Sequence, residues 1–266
     1  MMLVSVAPRF ARRLSLALTA CAALASPMAS QAQAQAQTQL GLTPLQRAEV
    51  VEVLRDALKR DPSILREALA AMQEAETRDR ATSQRGAILA QREALLADPA
   101  DPVKGNPQGN LTIVEFFDAR CGYCKALHPT LQALLRADPQ IRVVMKDLPI
   151  LGPASVVASR ALLAAQRQGK YAAFQDALMQ LRGEPTEAAL QAEAQKLGID
   201  WVRAKRDMED PAILARLQHN VGLARALSIE GTPALVIGNT LVPGAVDLPT
   251  LQNLVAQARQ EARQGG

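Results

Sequence analysis

The stretch Phe116–Pro129, FFDARCGYCKALHP, contains two of the three cysteines of this 266-residue chain, with two residues between them. It overlaps the run LTIVEFF (Leu111–Phe117), whose β-branched and aromatic content is typical of a buried strand. A strand that ends in C-x-x-C and turns into a helix places Cys121 at the helix N-terminus. Unpaired backbone N–H groups and the helix dipole favour a negatively charged sulfur there. Cys124, one turn later, can then attack a mixed disulfide formed at Cys121.

Other uses of the cysteine pair fit the surrounding sequence less well. A c-type haem site has a histidine directly after its second cysteine, where this chain has Lys125. A structural zinc site needs four ligands, and the only histidines, His128 and His219, are distant from each other. A structural disulfide across two residues closes too small a loop to constrain much. We therefore predict a redox centre without metal or cofactor, with copper(I) capture by the two thiolates as an open alternative.

The first residues have the pattern of an export signal. A cationic start, MMLVSVAPRFARR, precedes the apolar run LSLALTACAALA, which is too short to cross a bilayer. We predict a signal peptide over residues 1–34 and an oxidising, periplasmic destination. Lipoprotein processing at Cys21, within LTAC, is the alternative. Residues 1–34 contain three arginines and no acidic residue, so the rest of the chain carries 27 basic and 26 acidic residues, a balance that argues against nucleic-acid binding.

The sequence pattern of residues 41–100 predicts a helical N-terminal segment. Thr43 and Pro44 suit an N-cap and a first helical turn, and Asp61 suits the cap of a second helix. The polar stretch 76–86 and a third helical piece up to Asp98 follow. The second helix carries an apolar stripe, which either packs on the rest of the chain or joins copies of it: Ile64, Leu65, Ala68, Leu69 and Met72.

The Pro- and Gly-rich stretch 97–110 predicts a domain boundary, followed by an α/β domain over residues 101–266. After the strand at 111–117 and a helix through Arg136, residues 141–149 predict a second strand. A helical insert over about 153–230 follows, with helix starts at Asp200 and Asp210. Residues 234–238 and 240–244 predict a hairpin, and a closing helix runs from Leu248 to about Arg263.

The stretch EGTPALVIG (Glu230–Gly238) resembles the Thr–cis-Pro loop of the thioredoxin superfamily, and VEFFDARCGYC supplies the second half of the match. Residues 101–266 thus resemble a DsbA-type disulfide oxidoreductase. The resemblance implies an α/β thioredoxin fold with an inserted helical domain, preceded by the N-terminal α-helical segment. It also implies a cis Pro233, a Thr232 backbone that faces the Cys121 sulfur, and an extended substrate peptide bound by Thr232, Pro233, Gly122 and Tyr123.

Glu115 matches an acidic position in the DsbA-type pattern EFFxxxCxxC. If it is buried beneath the helix, its raised pKa would let it exchange a proton with Cys124, a catalytic role; a solvated glutamate at a strand edge is the alternative. Lys146, on the neighbouring strand, is its expected partner. Four other side chains are expected to serve in packing: His128, Tyr171, Trp201 and His219.

CGYC with a threonine before the cis-proline resembles the disulfide-isomerase branch of the superfamily. With LPILGPAS, LVPGAVD and the N-terminal segment, the chain resembles the suppressor-of-copper-sensitivity protein C family. That resemblance implies a periplasmic disulfide isomerase or reductase linked to copper tolerance, with misoxidised secreted proteins as clients and a membrane-bound thiol reductant as partner. It implies a homo-oligomer, with a trimer favoured over a dimer or monomer, and residues 76–86 as an adjustable arm. A DsbA-like dithiol oxidase and a copper(I)-binding thiol protein are the alternatives.

Overall fold

The computed structural model describes residues 41–264, so the predicted signal peptide and the alternative at Cys21 lie outside the described residues. No helix within residues 41–264 is long and apolar enough to cross a membrane. The chain divides into two compact units between Ala68 and Leu69, inside the second helix.

The first unit contains α1 (Pro44–Arg60) and the beginning of α2 (Ser63–Ala90). Thr43 caps α1 as expected: its hydroxyl accepts a hydrogen bond from the Gln46 backbone N–H at 3.3 Å, and the Gln46 side chain accepts one from the Thr43 N–H at 2.8 Å. Asp61 likewise accepts the backbone N–H of Ser63 at 3.0 Å. The polar stretch 76–86 is part of continuous α2, so the expected adjustable arm is helical in this structure.

The second unit is built on a five-stranded sheet with the strand order β1-β3-β2-β4-β5. Its strands are β1 (Val103–Gly105), β2 (Leu111–Phe117), β3 (Ile141–Asp147), β4 (Ala234–Ile237) and β5 (Thr240–Pro243). In this sheet β2 and β3 pair in parallel, and the other neighbours are antiparallel. The three-residue strand β1 was not expected, because it lies in the stretch whose Pro and Gly content predicts a boundary.

Helices connect and cover the sheet. A short helix, α3 (Arg92–Leu96), precedes β1, and α4 (Gly122–Ala137) joins β2 to β3. The predicted helical insert between β3 and β4 is α5 (Pro153–Gln166), α6 (Tyr171–Gln180), α7 (Glu187–Lys196), α8 (Trp201–Met208) and α9 (Pro211–Ala226). Asp200 and Asp210 cap α8 and α9 as expected, and α10 (Leu248–Gln264) closes the domain. The predicted fold class is confirmed.

Alternation along β2 separates two apolar layers, because successive side chains of a strand point to opposite faces of the sheet. Ile113 and Phe117 belong to the layer that includes α4 and much of the insert. Val114 and Phe116 belong to the other layer, together with Ile88 of α2 and residues of α3 and α9. The central strand is therefore buried on both faces, which explains its nearly unbroken apolar sequence.

The expected pairing of Lys146 with Glu115 is wrong, and the register explains why. Lys146 is the direct partner of Phe116, so its side chain lies on the face opposite to Glu115. There the fully buried Lys146 ammonium donates to Asp101 Oδ2 at 2.5 Å and to the Ala94 carbonyl at 2.8 Å. Arg216 reaches the other oxygen of Asp101 at 2.9 Å. This network ties the segment before β1 to the sheet.

Of the three residues expected to pack inside the helical insert, two are buried and one is exposed. Tyr171 and Trp201 are buried in the insert as expected, and Tyr171 donates to Asp147 Oδ2 at 2.7 Å. His219 is exposed on α9, so the expectation that it packs inside the insert is wrong. Its neighbour Asn220 is the residue that turns inward, because the two side chains point about 100° apart around the helix.

Replacing Lys146 should strongly destabilise the domain. Lys146→Met keeps the length of the side chain but leaves Asp101 buried with one cation fewer. We expect the free energy of unfolding to fall by roughly 3 kcal/mol, measured by urea denaturation. Arg78→Met, which breaks an exposed ion pair with Glu74, should cost less than about 1 kcal/mol. Equal effects of the two substitutions would contradict the structural importance of the buried pair.

Candidate active site

Cys121 is the N-cap residue of α4. Its backbone N–H donates to the Asp118 carbonyl at 3.0 Å, which closes the turn between β2 and the helix. Cys121 is 7% exposed, and Cys124 is completely buried in the first turn of α4. The pair is thus less accessible than the sequence suggests, although Gly122 and Tyr123 between the cysteines are exposed as expected. A partner molecule can reach only Cys121.

The loop before β4 lies against this cysteine. The Cys121 thiol donates to the Thr232 carbonyl oxygen, with 3.1 Å between Sγ and O. The Thr232–Pro233 peptide bond is cis. Phe116 of β2 pairs directly with Ala234 of β4, and this register brings the loop to the end of β2 where the CGYC sequence begins. The arrangement of Thr232 and Pro233 is the one that the resemblance implies, while their part in substrate binding stays a prediction.

Glu115 is buried beneath α4 and is not a solvated strand-edge residue. It is 2% exposed, and burial raises its pKa to about 7, while the positive charge of Lys104 opposes that rise. Lys104 shares the face of Glu115 because its register partner is Val143, two residues before Met145, the partner of Glu115. Lys104 was not predicted as part of the site, because the sequence does not predict β1, the strand that carries it.

The buried thiol of Cys124 is held in its neutral form. Burial is the main cause of its raised pKa, and the charges of Cys121 and Glu115 raise it further, while hydrogen bonds with the Asp118 backbone and the Thr232 side chain act in the opposite direction. Cys124 must lose this proton before it can attack a disulfide. A carboxylate that titrates near pH 7 within electrostatic reach of Cys124 is suited to accept it.

A buried aspartate fixes the loops around Cys121. Asp118 Oδ2 accepts the backbone N–H groups of Ile150 and Leu151 at 2.9 and 3.0 Å, and Oδ1 accepts that of Arg120 at 2.8 Å. The loop after β3 is thereby attached to the turn that presents the cysteine. Asp118 was not among the predicted site residues. An aspartate directly after a strand and three residues before a helix N-cap is the signal that could have found it.

The structure also bears on the metal alternatives. Within residues 41–264 no group of three or more histidine, cysteine, aspartate or glutamate side chains is placed to hold a metal ion. His128 is buried in α4, with Nε2 3.4 Å from Asp176 Oδ1. Burial lowers its pKa, and the charge of Lys104 lowers it further, so His128 is a neutral packing residue, as expected.

Comparison with known proteins identifies the family. The DSBA-like thioredoxin domain matches residues 112–256, more than half of the chain. The chain belongs to the DsbA-like thioredoxin family. A thioredoxin-like oxidoreductase from Silicibacter pomeroyi is 44% identical, with a TM-score of 0.62, and the match covers 64% of this chain and 98% of that one. A linker-deletion mutant of Proteus mirabilis ScsC is 32% identical, with a TM-score of 0.63, over 83% of this chain and 98% of its own. The DsbA-like domain is therefore ScsC-like and of the thiol–disulfide oxidoreductase class.

The chain covers very different shares of the curated relatives that it matches. The thiol:disulfide interchange protein DsbA of Bordetella pertussis is 24% identical over 172 residues, which cover 60% of this chain and 82% of that protein. The Na⁺/H⁺ antiporter NhaA 1 of Salinispora arenicola is 30% identical over 166 residues, and the chain spans only 26% of its length. The chain thus spans most of the length of the first of these relatives and about a quarter of the second.

Replacing Glu115 with glutamine should make the stability difference from the wild type depend on pH. Between its ordinary pKa of 4.5 and about 7, Glu115 is protonated in the folded chain and ionised in the unfolded one. Its contribution to the free energy of unfolding is therefore present at low pH and falls as pH rises through this window. From about pH 4 to about pH 8, reduced Glu115→Gln protein should gain roughly 3 kcal/mol relative to the wild type.

Chemical denaturation across this pH range measures the effect. Asp147, whose pKa burial also raises to about 7, is present in both proteins and cancels in the difference. The exposed Glu76→Gln is the matched control and should show no such trend. A stability difference that does not change with pH would mean that Glu115 does not titrate in this window.

Proposed function

We propose that the protein is a periplasmic thiol–disulfide oxidoreductase that acts as a disulfide isomerase or reductase on misoxidised secreted proteins. The observation that carries the proposal is the position of Cys121: an N-cap thiol 3.1 Å from the carbonyl of Thr232 in the cis-proline loop. Cys121 is the nucleophile, Cys124 resolves the mixed disulfide, and Glu115 accepts the Cys124 proton. Thr232, Pro233, Gly122 and Tyr123 contact the client, and no metal or cofactor takes part.

Isomerisation needs only the outer cysteine. The Cys121 thiolate attacks one sulfur of a client disulfide, a Cys121–client disulfide forms, and the second client sulfur leaves as a thiolate. That thiolate attacks another disulfide of the same client. A client thiolate finally attacks the mixed disulfide and releases Cys121 as a thiolate. Bonds broken and formed are equal in number, so no electrons are consumed.

Reduction uses the buried cysteine as well. Cys124 transfers its proton to Glu115, and its sulfur attacks Cys121, which forms the Cys121–Cys124 disulfide and releases the client sulfur as a thiolate. The client gains two electrons and the enzyme loses two. A membrane-bound thiol reductant must then return two electrons to the pair. This partner and the periplasmic location belong to the proposal, and the 36% identity to a periplasmic thioredoxin-like protein from Salmonella enterica supports the location.

Two features favour isomerase over oxidase. Gly122 and Tyr123 between the cysteines and Thr232 before the proline resemble the isomerase branch, and the similarity to ScsC covers the N-terminal segment as well as the catalytic domain. A dithiol oxidase is the competing function. The proposed link to copper tolerance follows from chemistry, because copper oxidises thiols indiscriminately and so creates the clients that need reshuffling.

We propose in addition that the N-terminal helices assemble the protein into a homo-oligomer, with a trimer favoured. In the described chain α1 buries none of its residues, and large apolar side chains of α1 and the first turns of α2 are exposed. Apolar patches of this kind mark interaction surfaces in water-soluble proteins. The exposed residues are Leu45, Val50, Val51, Val53, Leu54, Leu58, Ile64, Leu65, Leu69 and Met72.

The catalytic proposal predicts recovery of activity from ribonuclease with scrambled disulfides. Reduced wild-type protein should restore ribonuclease activity catalytically, and Cys121→Ser should restore none because the nucleophile is missing. Rapid oxidation of a reduced client, without recovery of the scrambled one, would instead establish the oxidase function.

If the N-terminal helices assemble the protein, a charge placed in their exposed apolar stripe should reduce the mass of the assembly. Leu69→Asp places a charge in the exposed apolar stripe, so sedimentation should show a smaller assembly than the wild type. Arg66→Asp, at an exposed polar position of the same helix, is the control and should keep the wild-type mass. A wild-type protein that sediments as a monomer would exclude the assembly.

A further inference from the structure

A cleft opens beside the cis-proline loop, and a helix outside the matched thioredoxin domain forms one wall of it. The cleft has a volume of about 600 Å³, within the range of ligand-binding sites. Arg80, Ser83 and Gln84 of α2 line one side. The loop from Ser228 to Ala234 also lines the cleft, and residues of β5, the edge strand of the sheet, complete the lining. All of these residues belong to the second compact unit.

The loop wall carries unused backbone donors. Among the described residues, none accepts a hydrogen bond from the backbone N–H of Glu230, Gly231 or Thr232. The carbonyl groups of Thr232 and Pro233, by contrast, already accept hydrogen bonds. Thr232 accepts one from the Cys121 thiol, and Pro233 accepts one from the Gly244 N–H at 2.8 Å. Free backbone donors at the rim of a cleft suit the carbonyl groups of an extended peptide.

The two walls carry opposite charges that are not neutralised within the described chain. Arg80 on α2 and Glu230 on the loop both line the cleft, and neither forms an ion pair with any residue between 41 and 264. By contrast, the neighbouring arginines of α2 are paired, Arg78 with Glu74 and Arg85 with Glu261. Arg80 is therefore the arginine of this helix region whose charge is available to a ligand in the cleft.

We infer that the cleft holds the segment of an extended client peptide that flanks its reacting cysteine, and that Arg80 of α2 selects an acidic side chain there. The inference rests on the proposed function, because a client sulfur joined to Cys121 lies beside Thr232, where the cleft begins. Arg80 is a specificity residue: it meets the client away from the sulfurs that exchange. The N-terminal helix α2 thereby takes part in client choice.

The test uses short peptides with one cysteine, each joined in a mixed disulfide to thionitrobenzoate. Attack by Cys121 on the peptide sulfur breaks that bond, forms the Cys121–peptide disulfide and releases coloured thionitrobenzoate. One pair of peptides carries either aspartates or lysines before the cysteine, and a second pair carries them after it. The measured quantity is the ratio of the release rates for the acidic and the basic peptide, with the full reduced chain at low salt.

In one of the two pairs, Arg80→Glu should lower the acidic-to-basic ratio by about fivefold, the range that an exposed ion pair allows. Glu230→Gln should change the same ratio in the opposite direction. Both effects should shrink at about 0.5 M salt, because the charges are exposed to solvent and are screened. Arg78→Glu is the matched control, two residues away on the same helix and outside the cleft, and should leave the ratio as in the wild type.

Failure of this inference is distinguishable from failure of the proposed function. Release that depends on Cys121, with the same ratio in Arg80→Glu, Arg78→Glu and the wild type for both peptide pairs, would overturn the role of Arg80 and leave the redox function intact. Release that persists in Cys121→Ser would overturn the proposed nucleophile itself. A ratio that responds equally to Arg80→Glu and Arg78→Glu would show a general effect of charge rather than a site.

Discussion

The antiparallel pairing of β4 with β2 is the constraint on which the active site depends. Phe116 and Ala234 are direct partners in an antiparallel pair. The residues that follow Phe116 and those that precede Ala234 therefore meet at one end of the sheet. That meeting puts the Thr232 carbonyl 3.1 Å from the Cys121 sulfur across 111 positions of sequence. A slip of one residue would turn every side chain of β4 to the opposite face and displace the loop from the cysteine. All four residues of β4 are buried, so the strand contributes to the apolar layers on both faces of the sheet.

The same alternation decides the environment of each buried charge. Glu115 and Lys146 lie one register position apart on neighbouring strands, yet they face opposite layers. Lys146 donates to Asp101, which also accepts a hydrogen bond from Arg216, and this network ties the segment before β1 to the sheet. On the other face, Lys104 donates to Gln175 at 2.6 Å and to Asp176, and acts on Glu115 through its charge. Because Glu115 has no direct counterion among the described residues, burial dominates and its pKa rises to about 7.

Features encoded locally could be predicted from the sequence. The caps at Thr43, Asp200 and Asp210 are properties of a few adjacent residues, and so is the strand that leads into the CGYC turn. The cis-proline loop was found through family resemblance rather than from pattern alone. β1 could not be predicted, since three residues between prolines and glycines carry no periodicity and the strand exists only because β3 offers an edge. Lys104, the cation whose charge acts on Glu115, lies on β1 and so could not be predicted either.

In the proposed mechanism, the unequal burial of the two cysteines sets the order of events at the site. A client disulfide then reaches Cys121, which is 7% exposed, while the completely buried Cys124 meets only the sulfur already bound to Cys121. Water is excluded from Cys124 by the same packing, so the proton that it loses needs an acceptor within the protein. Glu115 occupies the interior beneath α4 where such an acceptor is required, and its burial brings its pKa close to neutrality. Burial of a carboxyl group costs stability wherever it is ionised, and that cost would follow directly from the proposed role of Glu115 as a proton acceptor for a thiol that solvent does not reach.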